Sequence, residues 1–315
     1  SSAISSLMGT TYDSLNNKVV VFYVTSSTTS SKIGTVSGTS ISFGSVVTIS
    51  GTASSSCKAI FDSLNGKIIV IYSTVSTGRS VVGTVSGTSI SFGTAVDFQG
   101  SAIAQYSIAY DSVNSKVVIT YNNSANSNFG TAIIGTVSGT SISFGTPVVF
   151  ASAYVTYHSA SFDPINNKMH IAYRNVANSN YGTEILGTVS GTSISFGTPI
   201  IFETSATEYI STAYSSASNK VVVSYRSTVT NFLYSKVNIN YSTNASSFIG
   251  FSSASYTNGQ TATISTVGSV INNQTGLTTK SKYYIQGNGT LATTQNSFTA
   301  YAGIALSSTK LLVKG

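Results

Sequence analysis

The chain carries little charge, a single cysteine, no tryptophan, three prolines and no long apolar run. Each scarcity excludes something. With Cys57 alone, no disulfide can form within the chain, so stability must come from burial and β-pairing. A lone strand cysteine of this kind reads as a small buried residue rather than a reactive thiol. No stretch approaches the roughly 18 apolar residues of a membrane-spanning helix, so no membrane insertion is expected. Charged residues make up 7% of the chain, against roughly a quarter in ordinary soluble proteins. Ser, Thr, Gly and Asn take their place, giving a neutral, hydroxyl-rich surface that suits an extracellular setting. Helix formers are scarce, and β-branched and aromatic residues abundant, so almost no helix is expected.

The net charge is +7, which raises nucleic acid as a partner. The placement of the charge argues against it. Lys18, Lys67, Lys116, Lys168 and Lys220 hold one equivalent position in successive repeats. No basic run interleaves with aromatics as a nucleic-acid groove needs, so no nucleic-acid partner is expected. The 315 residues suffice for one large all-β domain or two ordinary ones. The first residue is Ser1, already inside a repeat, which suits either a processed chain or the ordered part of a longer one.

What is present in abundance is repetition. The eleven residues GTVSGTSISFG of Gly34–Gly44 return unchanged at Gly83–Gly93, Gly135–Gly145 and Gly187–Gly197, spaced by 49, 52 and 52 residues. Apolar Val36, Ile41 and Phe43 flank a Gly-containing centre, which predicts two short strands about a tight turn. A second pattern precedes each copy: an aromatic, usually Asp, a short stretch with Asn, then Lys. It reads TYDSLNNKVVVFY from Thr11, IFDSLNGKIIVIY from Ile60, AYDSVNSKVVITY from Ala109, SFDPINNKMHIAY from Ser161 and AYSSASNKVVVSY from Ala213. Asp, Ser, Asn and Gly favour a turn there, and Pro164 presets φ for one.

Each repeat is thus predicted to be four antiparallel strands. In the fourth they run over about Val155–Phe162, Lys168–Tyr173, Thr183–Val189 and Ser193–Phe202. Four short antiparallel strands in about 50 residues is the size of a β-propeller blade. The first hairpin occurs five times and the second four times cleanly, its fifth copy being the degenerate Ser235–Phe251. The expected fold is all-β: a propeller of five four-stranded blades over 1–251 (about 1–50, 51–100, 101–152, 153–204 and 205–251), then a small β-module over 252–315. That module is predicted from GQTATISTVGSV, a turn at Thr275-Gly276-Leu277, KYYIQGNGT and AYAGIALSSTKLLVKG.

Little here carries catalytic chemistry. Asp13, Asp62, Asp111 and Asp163 recur one per repeat on separate turns, which suits turn capping and loose pairing with the nearby lysines. A glycosidase needs two carboxylates facing one bond, and nothing in the sequence makes Glu203 and Glu208 converge. His158 and His170 lie on adjacent strands, yet two histidines without a third ligand make a weak metal site. No catalytic residue, metal or cofactor is expected.

What varies between repeats is more informative. Five residues before the Asp position stand Met8, Cys57, Tyr106, His158 and Ile210, and one earlier stand Leu7, Ser56, Gln105, Tyr157 and Tyr209. Such freedom inside a constant scaffold suits the lining of a channel or face. The segment joining the second and third strands varies too, gathering Arg79, Asn122, Asn126, Phe129, Arg174, Asn178, Asn180, Tyr181 and Arg226. Amides and guanidinium groups hold sugar hydroxyls, and aromatic rings hold the C–H faces of pyranoses. These nine are the candidate ligand-binding residues; ordinary solvated loops are the alternative.

Taken together, GTVSGTSISFGTPVVF at Gly135–Phe150, its counterpart at Gly187–Phe202 and the segment Ser247–Gly315 resemble a group of bacteriophage virion proteins, especially from marine phages. The resemblance covers nearly the whole chain. It implies a tail-fibre or other host-facing component at the virion surface, with no catalytic residues to carry over. Departures lie in the short loop of the first repeat, Ser26–Lys32, and in the degenerate fifth repeat. A weaker likeness, in period and count only, is to five-bladed propeller lectins. The resemblance implies host attachment through a surface glycan or receptor by several weak sites acting together. It also implies contact with other virion subunits or identical copies, trimers by analogy with phage fibres. A purely structural decoration or filament subunit is the alternative, and a glycan-degrading enzyme a third.

Overall fold

Strand formation follows from the second strand of each repeat, which reads as a continuous apolar run because both its faces are buried. In Lys67–Ser73 the side chains of Ile68, Val70 and Tyr72 pack toward the repeat before, and Ile69 and Ile71 toward the repeat after. The protein is described from a computed structural model covering residues 4–25, 28–51, 56–101, 103–237, 251–252, 264–272, 274–285, 291–293 and 300–313. It divides into two compact units, Ser1–Val237 and Asn238–Gly315.

The first unit is all β, with one 3-10 turn, Ser124–Asn126, as the only helical element among the described residues. Each repeat is one antiparallel blade. In blade 1 the inner strand Ile4–Asp13 pairs with Lys18–Thr25, which pairs with Thr29–Ser37. The outer position is shared by two short strands, Ser40–Phe43 and Val47–Ser50, both paired with Thr29–Ser37. Blade 2 repeats this with Cys57–Asp62, Lys67–Ser73, Gly78–Ser86, Ser89–Phe92 and Val96–Gln99. Blades 3 and 4 share the scheme, with one difference from the sequence expectation. The 16-residue strand Val148–Asp163 begins as the outer edge of blade 3 and ends as the inner strand of blade 4, and Ile200–Ser215 links blades 4 and 5 in the same way. The fourth strand expected over Ser193–Phe202 is therefore broken at Gly197-Thr198-Pro199, and its second half belongs to a strand that continues into the next blade. Within the described residues blade 5 comprises the end of Ile200–Ser215 with Lys220–Ser227 and Leu233–Val237. Its expected second hairpin, Ser235–Phe251, falls mostly outside them.

Successive inner strands are neighbours from blade 1 through blade 5, the arrangement of a β-propeller. The hydrophobic core is accordingly split into layers between blades. Phe22 and Ile33 meet Ile68, Val70 and Tyr72 between blades 1 and 2; Ile69 and Ile71 meet Ile119 and Tyr121 between 2 and 3. Ile134 and Phe150 meet Ile171 and Tyr173 between 3 and 4, and Ala172 meets Val223 and Tyr225 between 4 and 5. Each fully buried aliphatic or aromatic side chain contributes about 1.5–3 kcal/mol, whereas an exposed ion pair contributes about 0–1 kcal/mol. The layers hold the unit together.

The two turns explain the repeated sequences. Asp13 Oδ1 accepts from the amides of Leu15 and Asn16, and Oδ2 from the Asn16 side chain. Asp62, Asp111 and Asp163 do the same and are fully buried. The expected pairing with lysine is replaced by another contact: Lys18, Lys67 and Lys168 donate to Thr35, Thr84 and Thr188 at 2.6–2.9 Å. In the GTVSGTSISFG hairpin the turn pair is Gly38-Thr39, closed by Ser37 opposite Ser40, with Gly38 at φ 58°. The last Gly of the first three copies is fixed by the next blade. A Cβ on Gly44, Gly93 or Gly145 would lie 1.8, 2.0 or 1.9 Å from the carbonyl oxygen of Thr88, Thr140 or Thr192. Identical hairpins recur because each must fit the next.

In the second unit, Val270–Ile271, Lys310–Val313, Ala300–Ser307, Lys282–Ile285 and Leu291–Ala292 form one antiparallel sheet in that order, and Phe251–Ser252 pairs with Ile264–Ser265. Leu277, just after the Gly276 turn, joins Tyr283, Ile285, Ala302, Ala305 and Leu311 in its core.

Candidate functional site

The inner strands of blades 1, 3, 4 and 5 each carry an irregularity. Register shifts interrupt them between Leu7 and Gly9, Ile103 and Tyr106, Thr156 and Ser159, and Glu208 and Ser211. A bulge bends a strand and re-aims a side chain. In blades 4 and 5 the re-aimed residues are Tyr157 and Tyr209, both at φ 52°. That left-handed conformation costs a bulky L-residue about 1–2 kcal/mol, so the surrounding structure imposes it. The two rings meet with centroids 5.3 Å apart at 57°.

Each ring is covered by an arginine from the adjacent second strand. The Arg174 guanidinium lies 5.8 Å from the Tyr157 centroid and that of Arg226 lies 5.1 Å from Tyr209. Glu208 joins them: Oε1 accepts from Arg174 Nη1 at 3.2 Å and Oε2 from Arg226 Nη2. Arg174 Nε donates to Asn180 Oδ1 at 2.8 Å. All three charged side chains are partly buried, and Tyr209 remains 65% exposed. Cation–π contacts at such sites contribute about 0.5–2 kcal/mol each. The cluster is a fixed aromatic ledge edged by guanidinium donors, one positive charge in excess.

Tyr209 also borders a cavity of about 560 Å³ between the inner strands of blades 2 to 5, lined by Ser56, Lys58, Gln105, His158 and Ser211. His158 Nε2–H donates to the Gln105 carbonyl at 3.1 Å, leaving Nδ1 to accept from the Thr120 hydroxyl at 3.1 Å. Burial drives its pKa down to about 4; the bond to Gln105 offsets part of the fall and the charge of Lys58 adds to it. The imidazole is neutral, and Lys58 is the one formal charge on the cavity wall. Toward the Asp turns, a smaller apolar cavity of about 260 Å³ shares Ile108 with the first.

Of the nine expected ligand-binding residues, Arg174, Asn180 and Arg226 come together here. Asn178 and Tyr181 flank them in the same loop, where the Tyr181 amide donates to the Asn178 carbonyl at 2.9 Å. Asn126 is exposed in the 3-10 turn of blade 3, and Phe129, half-buried, opens the next strand opposite Asn123 and Tyr154. Asn122 is buried, donating to the Val155 carbonyl at 2.6 Å, and stitches blade 3 to blade 4. Arg79 lies apart, its Nε 2.5 Å from Asp97 Oδ1 directly across the strand pair; that bond raises its pKa. The sequence expectation did not number Tyr157, Tyr209, Glu208 or Lys58 among the ligand-binding residues. The signal for the tyrosines was their position, one of the two variable sites of the inner strand.

The other candidate chemistry is placed elsewhere. Glu203 accepts from Tyr225 Oη at 2.6 Å and from the Ser205 amide at 3.0 Å, and shares no hydrogen-bond partner with Glu208. Burial pushes its pKa up, and these hydrogen bonds outweigh burial to hold it below the ordinary value. His170 pairs with Glu184 at 2.7 Å inside blade 4, while His158 turns toward blade 3. Among the described residues no three or more His, Cys, Asp or Glu gather as metal ligands. Cys57 is buried, which pushes its thiol up to about 12.

Fold and site define a β-propeller-type repeat protein with a polar inner cavity. Its fold is similar to the crystal structure of a protein from Lactobacillus plantarum, with a TM-score of 0.54 at 12% identity over 96% of this chain and 88% of that one. A chain of the mitotic checkpoint complex aligns with a TM-score of 0.29 at 12% identity over 74% and 89%, too low to carry an argument. No family model and no curated protein matches the sequence.

Proposed function

We propose that this chain is a host-facing virion-surface or tail-fibre protein that attaches by binding glycan at the Tyr157–Tyr209 ledge. The observation that carries the reading is the pair of tyrosines held at φ 52° on bulges, each capped by an arginine. Strain persists where the surrounding structure over-determines it, and it clusters at binding sites. The ledge offers a C–H-binding aromatic face beside guanidinium donors, and the polar cavity next to it adds hydroxyl, amide and ammonium groups. The Tyr–Arg pair occurs in two adjacent blades, where blades 1 to 3 have Leu7, Ser56 and Gln105 in the tyrosine position. Two neighbouring subsites on one chain, multiplied over the copies on a particle, give avidity from weak contacts.

The test is binding of the purified chain to a broad glycan array and to host-cell surfaces at two salt concentrations, with Tyr209→Asn alongside. Asn tolerates the left-handed conformation, so the variant is expected to keep its melting temperature while losing at least about tenfold in glycan retention, roughly 1.4 kcal/mol. Binding that disappears with salt and is indifferent to Tyr209→Asn would reduce attachment to net charge and sink the reading.

A further inference from the structure

Blades inside the array cover one another, whereas among the described residues the outward sides of blades 1 and 5 carry exposed apolar side chains. Ile90, Ile142 and Ile194, equivalent residues of the repeated hairpin, are each 3% exposed because the preceding blade lies against them. The identical Ile41 of blade 1 is 45% exposed, with Val36 at 57% and Phe43 at 47%. Val19 and Val21, equivalent to the fully buried Ile68 and Val70, are only half-buried. At the far end, Val222 and Ser224 of blade 5 replace the buried Val20 and Phe22 and are half-buried. Val237 replaces the fully buried Ile33 and is 51% exposed.

We infer that a second copy of this chain docks its blade 1 face on the blade 5 face of the first, continuing the inter-blade packing from one molecule to the next. The occupant is specified by the fold itself. Blades 1 and 2, 2 and 3, and 3 and 4 are joined through this same hairpin face, so the open copy on blade 1 is shaped to receive the next-face side of another blade. Blade 5 presents such a side, less apolar because Ser224 stands where blade 1 has Phe22. Lys32, on the blade 1 face where blade 2 has Val81, is a charge of the kind that keeps an open β surface from sticking indiscriminately. The contact is therefore weak and reversible. The two faces differ, so association is heterologous and either propagates or closes into a ring.

Sedimentation of the full chain over a concentration series tests this, with Val36→Glu disabling the blade 1 face and Val237→Glu the blade 5 face. The wild type is expected to gain mass beyond the dimer as concentration rises. Each variant alone is expected to shift the association midpoint upward at least about tenfold, roughly 1.4 kcal/mol. An equimolar mixture is expected to restore dimers and stop there, because each partner retains the one face the other needs. Both positions are exposed, so circular dichroism melts should match the wild type, and Val36→Ser gives the same direction with a smaller change should Val36→Glu unfold. A wild type that stays monomeric, variants that leave association unchanged, or a mixture that fails to restore dimers would each overturn the proposal.

Discussion

Single side chains in this protein are governed by which layer they enter, and His158 shows how far that reaches. Its alkaline neighbour Lys58, the Thr120 hydroxyl and the Gln105 carbonyl surround a ring whose pKa falls from 6.5 to about 4. Between those values the unfolded chain binds more protons than the folded one, so stability rises with pH. The contribution is complete above pH 6.5 and drains away as pH falls toward 4, amounting to about 3 kcal/mol for a shift of this size. His158→Gln is expected to flatten the dependence of the urea midpoint on pH across that window; an unchanged slope would show that other groups carry it. At this scale the sequence was only partly legible. It marked the tyrosine and histidine positions as variable, but the left-handed backbone of Tyr157 and Tyr209 comes from strand register, which no local pattern encodes. Asn122 looked like a loop amide because the second strand runs on to Asn123, past the point where the apolar run ends.

At the scale of the element, the hairpin of eleven residues is both the most legible feature and the one whose constancy has a mechanical cause. Repetition of its turn glycine follows from φ near 60° at Gly38, Gly87, Gly139 and Gly191. In the first three copies, repetition of the final glycine follows from the neighbouring blade, which no single copy reveals. The same sequence context therefore has different consequences at its different occurrences. Gly93→Ala would place a methyl 2.0 Å from the Thr140 carbonyl oxygen, whereas at Gly197 the nearest atom among the described residues is the Leu186 carbonyl oxygen, 3.9 Å away. Overpacking of this kind costs about 1–3 kcal/mol, while exposed substitutions stay within about 0.5 kcal/mol. Chemical unfolding of the two alanine variants is expected to show that difference, and equal destabilisation would remove the neighbour-fit explanation. The split outer strand escaped the sequence for a related reason. Residues Val148–Asp163 run on as one strand where the sequence suggested two, and the pairing partners show that it serves two blades.

For the molecule as a whole, the order of blades could be read from spacing alone, because repeats of 49–52 residues leave room for four short strands and little else. The candidate site could not be read in this way, since the cluster of Arg174, Glu208 and Arg226 draws on two blades whose relative placement is a property of the array. Energetically, the array is a chain of nearest-neighbour layers, each built from two adjacent blades, and the second unit has a core of its own, from Leu277 to Leu311. Among the described residues, every hydrophobic layer of the first unit is built from residues before Val237. In such arrays stability is a sum of blade and interface terms, and a cut after Val237 spares each of these described layers. A chain ending at Val237 is therefore expected to keep its β-sheet circular dichroism and to melt within a few degrees of the first unit in the full chain. The remaining transition, belonging to 238–315, should vanish from the calorimetric trace. Collapse of the shortened chain to an unfolded spectrum would mean that the inter-blade layers alone do not hold the repeats together.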